Sequence, residues 1–171
     1  MRGQIRRFEP DFDLSRTADV QAHITVLGPF VPLEDCDGGL VAELAAFFLA
    51  QPSFSYTLRE VCTFPGVVVY LSPEPQSAFC SLIDATAKQY PSYPPYGGQF
   101  DEVIPHMTVG PLWSVQMEDR LIQAATEAVP IHSVAREVRL IYNAPKRFET
   151  IAVFPLSDVK ESAVPRPVKS R

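Results

Sequence analysis

The sequence predicts an α+β fold of two similar lobes, each a mainly antiparallel sheet with helices outside, related by a pseudo-twofold axis. Three observations predict it: β-rich runs, amphipathic segments at helical spacing, and an element order that occurs twice. That order is strand, helix, two strands, helix, and then strand, helix, two strands. The two halves also share a local sequence, HITVLGPF at 23–30 and HMTVGPL at 106–112.

The first half of the chain alternates short β-rich runs with amphipathic segments. A Gly-Pro pair at 28–29 ends the first run, and apolar residues from Leu40 to Phe48 recur at helical spacing. A Phe-Pro-Gly sequence at 64–66 separates two β-rich runs and predicts a hairpin. The predicted elements are a strand over 22–27, a helix over 38–50, strands over 53–62 and 66–72, and a helix over 74–90.

The second half repeats this order after a loop rich in aromatic residues, proline and glycine at 90–100. That composition predicts a rigid loop, because flexible linkers are rich in glycine and serine instead. The remaining predicted elements are a strand over 102–109, a helix over 115–128, and strands over 136–143 and 148–156. We therefore expect one bilobal domain over 1–157, followed by a loose polar tail over 158–171.

Composition excludes several classes of protein. The chain of 171 residues is 46% hydrophobic and 20% charged, which is typical of a globular protein rather than a disordered one. Its apolar runs are too short for a membrane-spanning helix, and its basic N-terminus lacks the apolar segment of a secretory signal. Three cysteines without the close pairing of a zinc site predict reduced thiols in a cytoplasmic protein. We also expect a monomer that does not bind membranes.

Charge is distributed unevenly along the chain. Residues 17–135 carry three basic side chains against thirteen acidic ones, although the net charge of the whole chain is only −5. A protein that binds long duplex nucleic acid needs a basic stripe, so we expect no such partner. A small nucleotide or a short RNA end remains a suitable substrate, because a few dipoles and one or two cations can hold one phosphate.

Two His-x-Thr motifs are the most informative feature of the sequence. They are His23-Ile24-Thr25 and His106-Met107-Thr108, each within a predicted strand. Side chains alternate along a strand, so each strand presents an imidazole beside a hydroxyl on one face. The alternative interpretation is that both histidines are ordinary strand residues.

Two imidazoles and two hydroxyls suit phosphoester chemistry. A neutral histidine can take a proton from an attacking hydroxyl or water, and a protonated one can give a proton to the departing oxygen. Thr25 and Thr108 can donate hydrogen bonds to the non-bridging phosphate oxygens. This chemistry requires no metal and no cofactor. A metal site built on His23 and His106 is a rival interpretation, but no paired carboxylates lie on the same strands.

The paired motifs resemble those of the 2H phosphoesterases, which include the 2′-5′ RNA ligase-like proteins and the cyclic phosphodiesterases. The resemblance covers roughly 6–156 and is anchored on Gln21–Leu27 and Pro105–Val109. It implies a bilobal fold with both motifs in a central cleft. It also implies that His23 and His106 are the acid–base pair and that Thr25 and Thr108 hold the phosphate.

The resemblance implies hydrolysis, or reversible formation, of 2′,3′-cyclic phosphate or 2′-5′ phosphodiester bonds. We therefore expect a metal-independent phosphodiesterase acting on cyclic phosphates or short 2′-5′-linked nucleotides. One alternative is a 2′-5′ RNA ligase acting on tRNA-like substrates. The ligase branch often has a basic residue just after the second motif, whereas Gly110-Pro111-Leu112 follows it here. Another alternative is a non-catalytic module that binds nucleotides or RNA.

Two further candidate site residues, Tyr96 and Arg147, lie outside the motifs. Tyr96 is a candidate for substrate binding by stacking on a base, although its loop residues could instead pack against the core. Arg147 is a candidate phosphate contact in the turn between the last two strands, where a solvated side chain is the alternative. His132 lacks a threonine two residues later, so we expect a structural role for it.

Overall fold

The computed structural model describes residues 22–111, 115–143 and 148–158. The predicted polar tail, apart from residue 158, and the turn that carries Arg147 lie outside the described residues. Three α-helices and two short 3-10 helices are described. The α-helices are α1 (Gly38–Leu49), α2 (Gln76–Gln89) and α3 (Val115–Ala128), and the 3-10 helices are Leu33–Asp35 and Pro95–Gly98.

Six strands form two antiparallel sheets in the described part of the chain. The larger sheet has four strands in the order β3-β2-β1-β4, and the smaller is the β5-β6 ribbon. Strands from both halves of the sequence repeat therefore share one sheet. Their bounds are β1 (Phe54–Phe64), β2 (Val68–Glu74), β3 (Met107–Pro111), β4 (Ile131–Ala135), β5 (Glu137–Asn143) and β6 (Phe148–Pro155).

The helices and the two hairpins follow the sequence pattern closely, and the α+β fold class is confirmed. Helix α1 begins where the Asp37 carboxylate accepts a hydrogen bond of 2.8 Å from the backbone N–H of Leu40, a favourable N-cap. The β1-β2 hairpin turns through Gly66, whose positive φ of 72° suits glycine. The similarity of the two lobes stays a prediction.

Three strands differ from the sequence prediction. The predicted strand over 22–27 is reduced to one isolated bridge at Ile24, because the chain bends from residue 26 into the Gly-Pro pair. The predicted strand over 102–109 begins only at Met107, after Pro105, which has no N–H for a sheet ladder. Strand β4 was not predicted, because it has only five residues and includes the polar pair His132-Ser133.

Within the described residues, two clusters of the apolar core are defined. One joins α1 and α2 to β6 and the residue after it, through Leu44, Phe48, Leu82, Tyr90, Phe154 and Leu156. The second lies between the four-stranded sheet and α3, and its buried members are Leu58, Leu71 and Ala125. This second cluster supports both His-x-Thr motifs from beneath.

None of the helices in the described segments has the length and apolar character required to cross a membrane. The three cysteines, Cys36, Cys62 and Cys80, are half-buried and form no disulfide.

Candidate active site

The two His-x-Thr motifs meet through their central residues. Ile24 forms an isolated antiparallel bridge with Met107, the first residue of β3. Both side chains pack against the buried cluster that contains Leu58 and Leu71. Because side chains alternate along extended backbone, the flanking histidines and threonines lie on the opposite face from this cluster.

The register of the bridge arranges the four polar side chains crosswise. In antiparallel pairing, the residues that flank a bridged pair face each other in reverse order, so His23 lies across from Thr108 and Thr25 across from His106. Residues directly opposite each other have Cβ atoms about 4.5–5.5 Å apart, and diagonal neighbours are about 7–8 Å apart. The two histidines therefore occupy one diagonal of a four-cornered patch and the two threonines the other.

Solvent exposure agrees with this arrangement. His23 and Thr108 are exposed, and Thr25 and His106 are half-buried, so all four corners are reachable from solvent. Ile24 and Met107 are half-buried beneath them. We define these four residues, His23, Thr25, His106 and Thr108, as the quartet.

The ring of His106 is held by three separate contacts. Its Nδ1 lies 2.8 Å from the carbonyl oxygen of Ile104. A carbonyl oxygen only accepts hydrogen bonds, so Nδ1 carries the hydrogen and Nε2 is the nitrogen that remains for chemistry. The ring also makes edge contacts with Phe64 and Tyr70, with centroid distances of 5.1 and 5.4 Å.

Tyr96 joins the site from the proline-rich loop. Its hydroxyl hydrogen-bonds the Thr25 side chain, and its backbone N–H donates to the carbonyl oxygen of Gly28 at 2.6 Å. Burial raises the pKa of the Tyr96 hydroxyl above its ordinary value of 10.0, and the hydrogen bond to Thr25 opposes that rise. The hydroxyl is therefore protonated at neutral pH and can donate a hydrogen bond.

The backbone of Tyr96 is held in an uncommon conformation. Its φ of 52° and ψ of 31° lie in the left-handed region, which costs a residue with a Cβ roughly 1–2 kcal/mol. The edge contact between its ring and Phe100, with centroids 5.7 Å apart, leaves Phe100 60% exposed. Strained residues of this kind often lie at functional sites, where surrounding contacts hold them.

A cavity of about 810 Å³ adjoins the first motif but not the second. His23 and Thr25 line it, together with core residues of α1, α2 and the β5-β6 ribbon, whereas His106 and Thr108 do not. For this reason the bridge, and not the cavity, defines the candidate site.

The remaining candidates are distributed as follows. His132 is exposed on β4, where its Nδ1 lies 3.0 Å from the Thr57 hydroxyl of β1, away from the quartet in the sheet order. Arg147 lies outside the described residues. Across 22–111, 115–143 and 148–158, no three His, Cys, Asp or Glu side chains form a cluster that could hold a metal ion.

Sequence reasoning missed the contacts of Phe64 and Tyr70 with His106. Both residues lie on the β1-β2 hairpin, more than thirty positions before the second motif. Only the pairing of β2 with β3, in which Tyr70 is the partner of Thr108, brings the hairpin to the site. The sequence carries no local signal for that pairing.

Comparison with known proteins identifies the family. The model of the 2′-5′ RNA ligase superfamily matches residues 2–147. A solved structure, described as E. coli LigT complexed with NADP+, is 23% identical, with a TM-score of 0.49, over 80% of this chain and 76% of that chain. Among curated proteins, none matches significantly. The family match extends over most of the chain and includes both motifs, so the chain belongs to the 2′-5′ RNA ligase superfamily, whose members act on phosphodiester bonds.

Proposed function

We propose that the protein is a phosphodiesterase that opens 2′,3′-cyclic phosphates or cleaves short 2′-5′-linked nucleotides by two-histidine acid–base catalysis without a metal ion. The antiparallel bridge between Ile24 and Met107 carries this proposal, because its register directs both imidazoles and both hydroxyls to one face. Membership of a superfamily that acts on small nucleotide or RNA substrates supports the substrate class.

The diagonal arrangement suits an in-line displacement at phosphorus. A phosphate at the centre of the quartet has one imidazole on each side, with about 7–8 Å between the two diagonal positions. One histidine takes a proton from water as its oxygen forms a bond to phosphorus. The other gives a proton to the ribose oxygen as its bond to phosphorus breaks, so each turnover transfers one proton at each end.

The hydroxyls of the quartet bind the oxygens that do not react. Thr25 and Thr108 lie on the other diagonal, where they can donate to the non-bridging phosphate oxygens. Tyr96 orients the Thr25 hydroxyl through their hydrogen bond and offers its ring, with that of Phe100, as a surface for a base. Arg147 is retained in this proposal as an additional phosphate contact.

Ligation is the second candidate function. The matched superfamily is described by its 2′-5′ RNA ligase activity. Run in reverse, the same proton transfers could join a 2′,3′-cyclic phosphate to a 5′-hydroxyl and form a diester. Three basic side chains over 17–135 supply little attraction for a large RNA, which favours the small-substrate interpretation. A non-catalytic binding module is the third alternative.

The test is a substrate panel in the presence of EDTA. We expect turnover of at least one among 2′,3′-cyclic nucleotides, ADP-ribose cyclic phosphate and 2′-5′ oligoadenylates. Cyclic-phosphate and 5′-hydroxyl RNA halves, assayed at several salt concentrations, report ligation. Binding without turnover of any of these compounds would identify a binding module instead.

His132→Ala is the matched control for the histidine variants. His132 is an exposed strand histidine beside a threonine hydroxyl, as in the quartet, but it lies on β4. Activity lost in His23→Ala or His106→Ala but kept in His132→Ala assigns the chemistry to the quartet. Equal losses in all three variants would contradict the assignment.

A further inference from the structure

The environment of His106 combines an aromatic pair with a backbone acceptor. Phe64 stacks on Tyr70 with centroids 4.4 Å apart and an interplanar angle of 29°. The imidazole of His106 lies nearly perpendicular to Phe64, at 89°, and at 62° to Tyr70. With Nδ1 hydrogen-bonded to the carbonyl oxygen of Ile104, the ring is held on one side by π-contacts and at one atom by a hydrogen bond.

The aromatic pair is itself held in place by the sheet. Tyr70 is 7% exposed and lies on β2 between Cys62 of β1 and Thr108 of β3. The Tyr70 hydroxyl hydrogen-bonds the Cys62 side chain, and burial, with a smaller contribution from Cys62, raises the pKa of that hydroxyl. The flanking strands therefore confine the Tyr70 ring, and with it the Phe64 ring that stacks on it.

We propose that Phe64 and Tyr70 are positioning residues for His106 and keep its Nε2 directed at the phosphate. The expected effect on kcat rests on the proposed function, whereas the expected effect on the orientation of the His106 ring does not. The imidazole can rotate about two side-chain bonds, and the Ile104 hydrogen bond limits only one ring atom. Contacts on the ring itself restrict both rotations.

Positioning of this kind acts on the chemical step. A displacement of about 1 Å at a reacting group can cost about 10²-fold in rate. Because Phe64 and Tyr70 reach the substrate only through His106 in this proposal, their loss should lower kcat and leave KM unchanged. Substitution of a residue that forms part of the substrate-binding surface would instead change KM.

The experiment compares Phe64→Leu with Tyr70→Phe. Phe64→Leu removes the ring against His106 while keeping an apolar side chain of similar size, and we expect kcat to fall about tenfold to a hundredfold at unchanged KM. Tyr70→Phe keeps the ring and removes only the hydroxyl beside Cys62, so kcat should stay within about twofold of wild type. Phe48→Leu, in the separate core cluster, controls for a general loss of stability.

A spectroscopic measurement separates this proposal from the proposed function. Nitrogen-15 spectra of the histidine side chains report which ring nitrogen carries the hydrogen, and we expect His106 to be held as the Nδ1–H form in wild type. In Phe64→Leu this signal should change to that of a mixed population, whereas Tyr70→Phe should keep it. This readout does not require any turnover.

The outcomes are distinct. An unchanged His106 signal and unchanged kcat in Phe64→Leu would overturn the positioning role, and so would a change confined to KM. Absence of turnover by wild type across the substrate panel, with the His106 signal still dependent on Phe64, would overturn the proposed function alone. Should Phe64→Leu fail to fold, Phe64→Tyr, which keeps the ring, and Phe64→Met, which removes it, provide the same comparison.

Discussion

Ile24 and Met107 form the bridge that brings the two His-x-Thr motifs together. Neither side chain takes part in the proposed acid–base chemistry, yet their pairing determines which residues face each other in the quartet. Both pack against the cluster of Leu58, Leu71 and Ala125, so the core helps to position both motifs. The stability of the sheet and the geometry of the site are therefore coupled at one pair of residues.

The first prediction concerns this coupling. Met107→Ala should lower the free energy of unfolding by about 1–2 kcal/mol, less than a fully buried methionine would, because the side chain is half-buried. The substitution should also lower kcat, and this loss should be larger than the fraction of unfolded protein accounts for. Denaturant titration with parallel kinetics checks both effects, and Met107→Leu, of similar volume, is the control. Full activity in a destabilised Met107→Ala would show that the bridge does not organise the site.

The second prediction concerns the corners of the quartet. His23→Ala and His106→Ala should each lower kcat by about 10²–10⁴-fold, because each removes one proton transfer. The double variant should lose less than the product of the single losses, since the two histidines act as a unit. Thr25→Ala and Thr108→Ala should each cost up to about 10²–10³-fold, as the loss of a donor to a charged oxygen does. Steady-state kinetics on the best panel substrate measures all five variants.

The elements that could be predicted from the sequence are those fixed by local physics. Helices α1 and α3 follow from apolar residues at helical spacing, and the β1-β2 hairpin follows from its Pro-Gly turn. Strand β4 could not be predicted, because its five residues become a strand only by pairing with β1. The late start of β3 follows from Pro105, whose nitrogen carries no hydrogen for the sheet ladder.

In the candidate site, too, the features that depend on local sequence could be predicted, and those that depend on long-range pairing could not. The alternation of His and Thr around one apolar residue predicts a shared face within each motif, and this needs only two-residue periodicity. The contact between Tyr96 and Thr25 joins residues 71 positions apart, and no periodicity encodes it. The aromatic contacts of His106 likewise depend on the sheet order β3-β2-β1-β4, which the strand sequences alone do not determine.

The third prediction concerns stability at high pH. Burial, reinforced by the Glu43 carboxylate, raises the pKa of Tyr90 from 10.0 to about 12. The unfolded chain therefore loses this proton near pH 10, whereas the folded protein keeps it until about pH 12. This contribution to the free energy of unfolding is fully present below pH 10 and is lost as the pH rises to about 12, a loss of about 3 kcal/mol.

Tyr90→Phe isolates this contribution. The stability difference between wild type and Tyr90→Phe should be constant from pH 7 to 9 and should move in favour of Tyr90→Phe between pH 10 and 12. The raised pKa values of Tyr70 and Tyr96 affect both proteins equally and cancel in the difference. Urea titrations at each pH measure it, and a difference that stays constant to pH 12 would refute the assignment to Tyr90.

The fourth prediction concerns the Tyr96 hydroxyl. Tyr96→Phe keeps the ring beside Phe100 and removes only the hydrogen bond to Thr25, which is worth about 1 kcal/mol. The value of kcat/KM should fall by roughly fivefold, and the free energy of unfolding should fall by no more than about 1 kcal/mol. In a Thr25→Ala background the same substitution should have almost no further effect, because its partner is already absent. Additive losses in that double variant would place the Tyr96 hydroxyl on the substrate instead of on Thr25.

The last prediction concerns pH and metal dependence together. Acid–base catalysis by His23 and His106 needs one imidazole neutral and the other protonated in the same molecule, so the rate should fall on both the acidic and the alkaline side of an optimum. Thr25, Thr108 and the Tyr96 hydroxyl supply neutral donors, which do not titrate near neutral pH. Removal of either histidine should therefore abolish one limb of the pH profile, while the threonine variants should keep both limbs at a lower rate.

EDTA separates this mechanism from a metal-assisted one. If proton transfer and neutral donors supply the catalysis, activity should be unchanged after dialysis against EDTA and after addition of Mg²⁺, Mn²⁺ or Zn²⁺. A histidine that served as a metal ligand would behave differently: metal binding requires a deprotonated imidazole, so the acidic limb of the pH profile would shift to lower pH as the metal concentration rises. Two results together would contradict the acid–base mechanism: loss of turnover in EDTA that one of these ions restores, and substantial activity in His23→Ala. Catalysis would then be assigned to a bound metal.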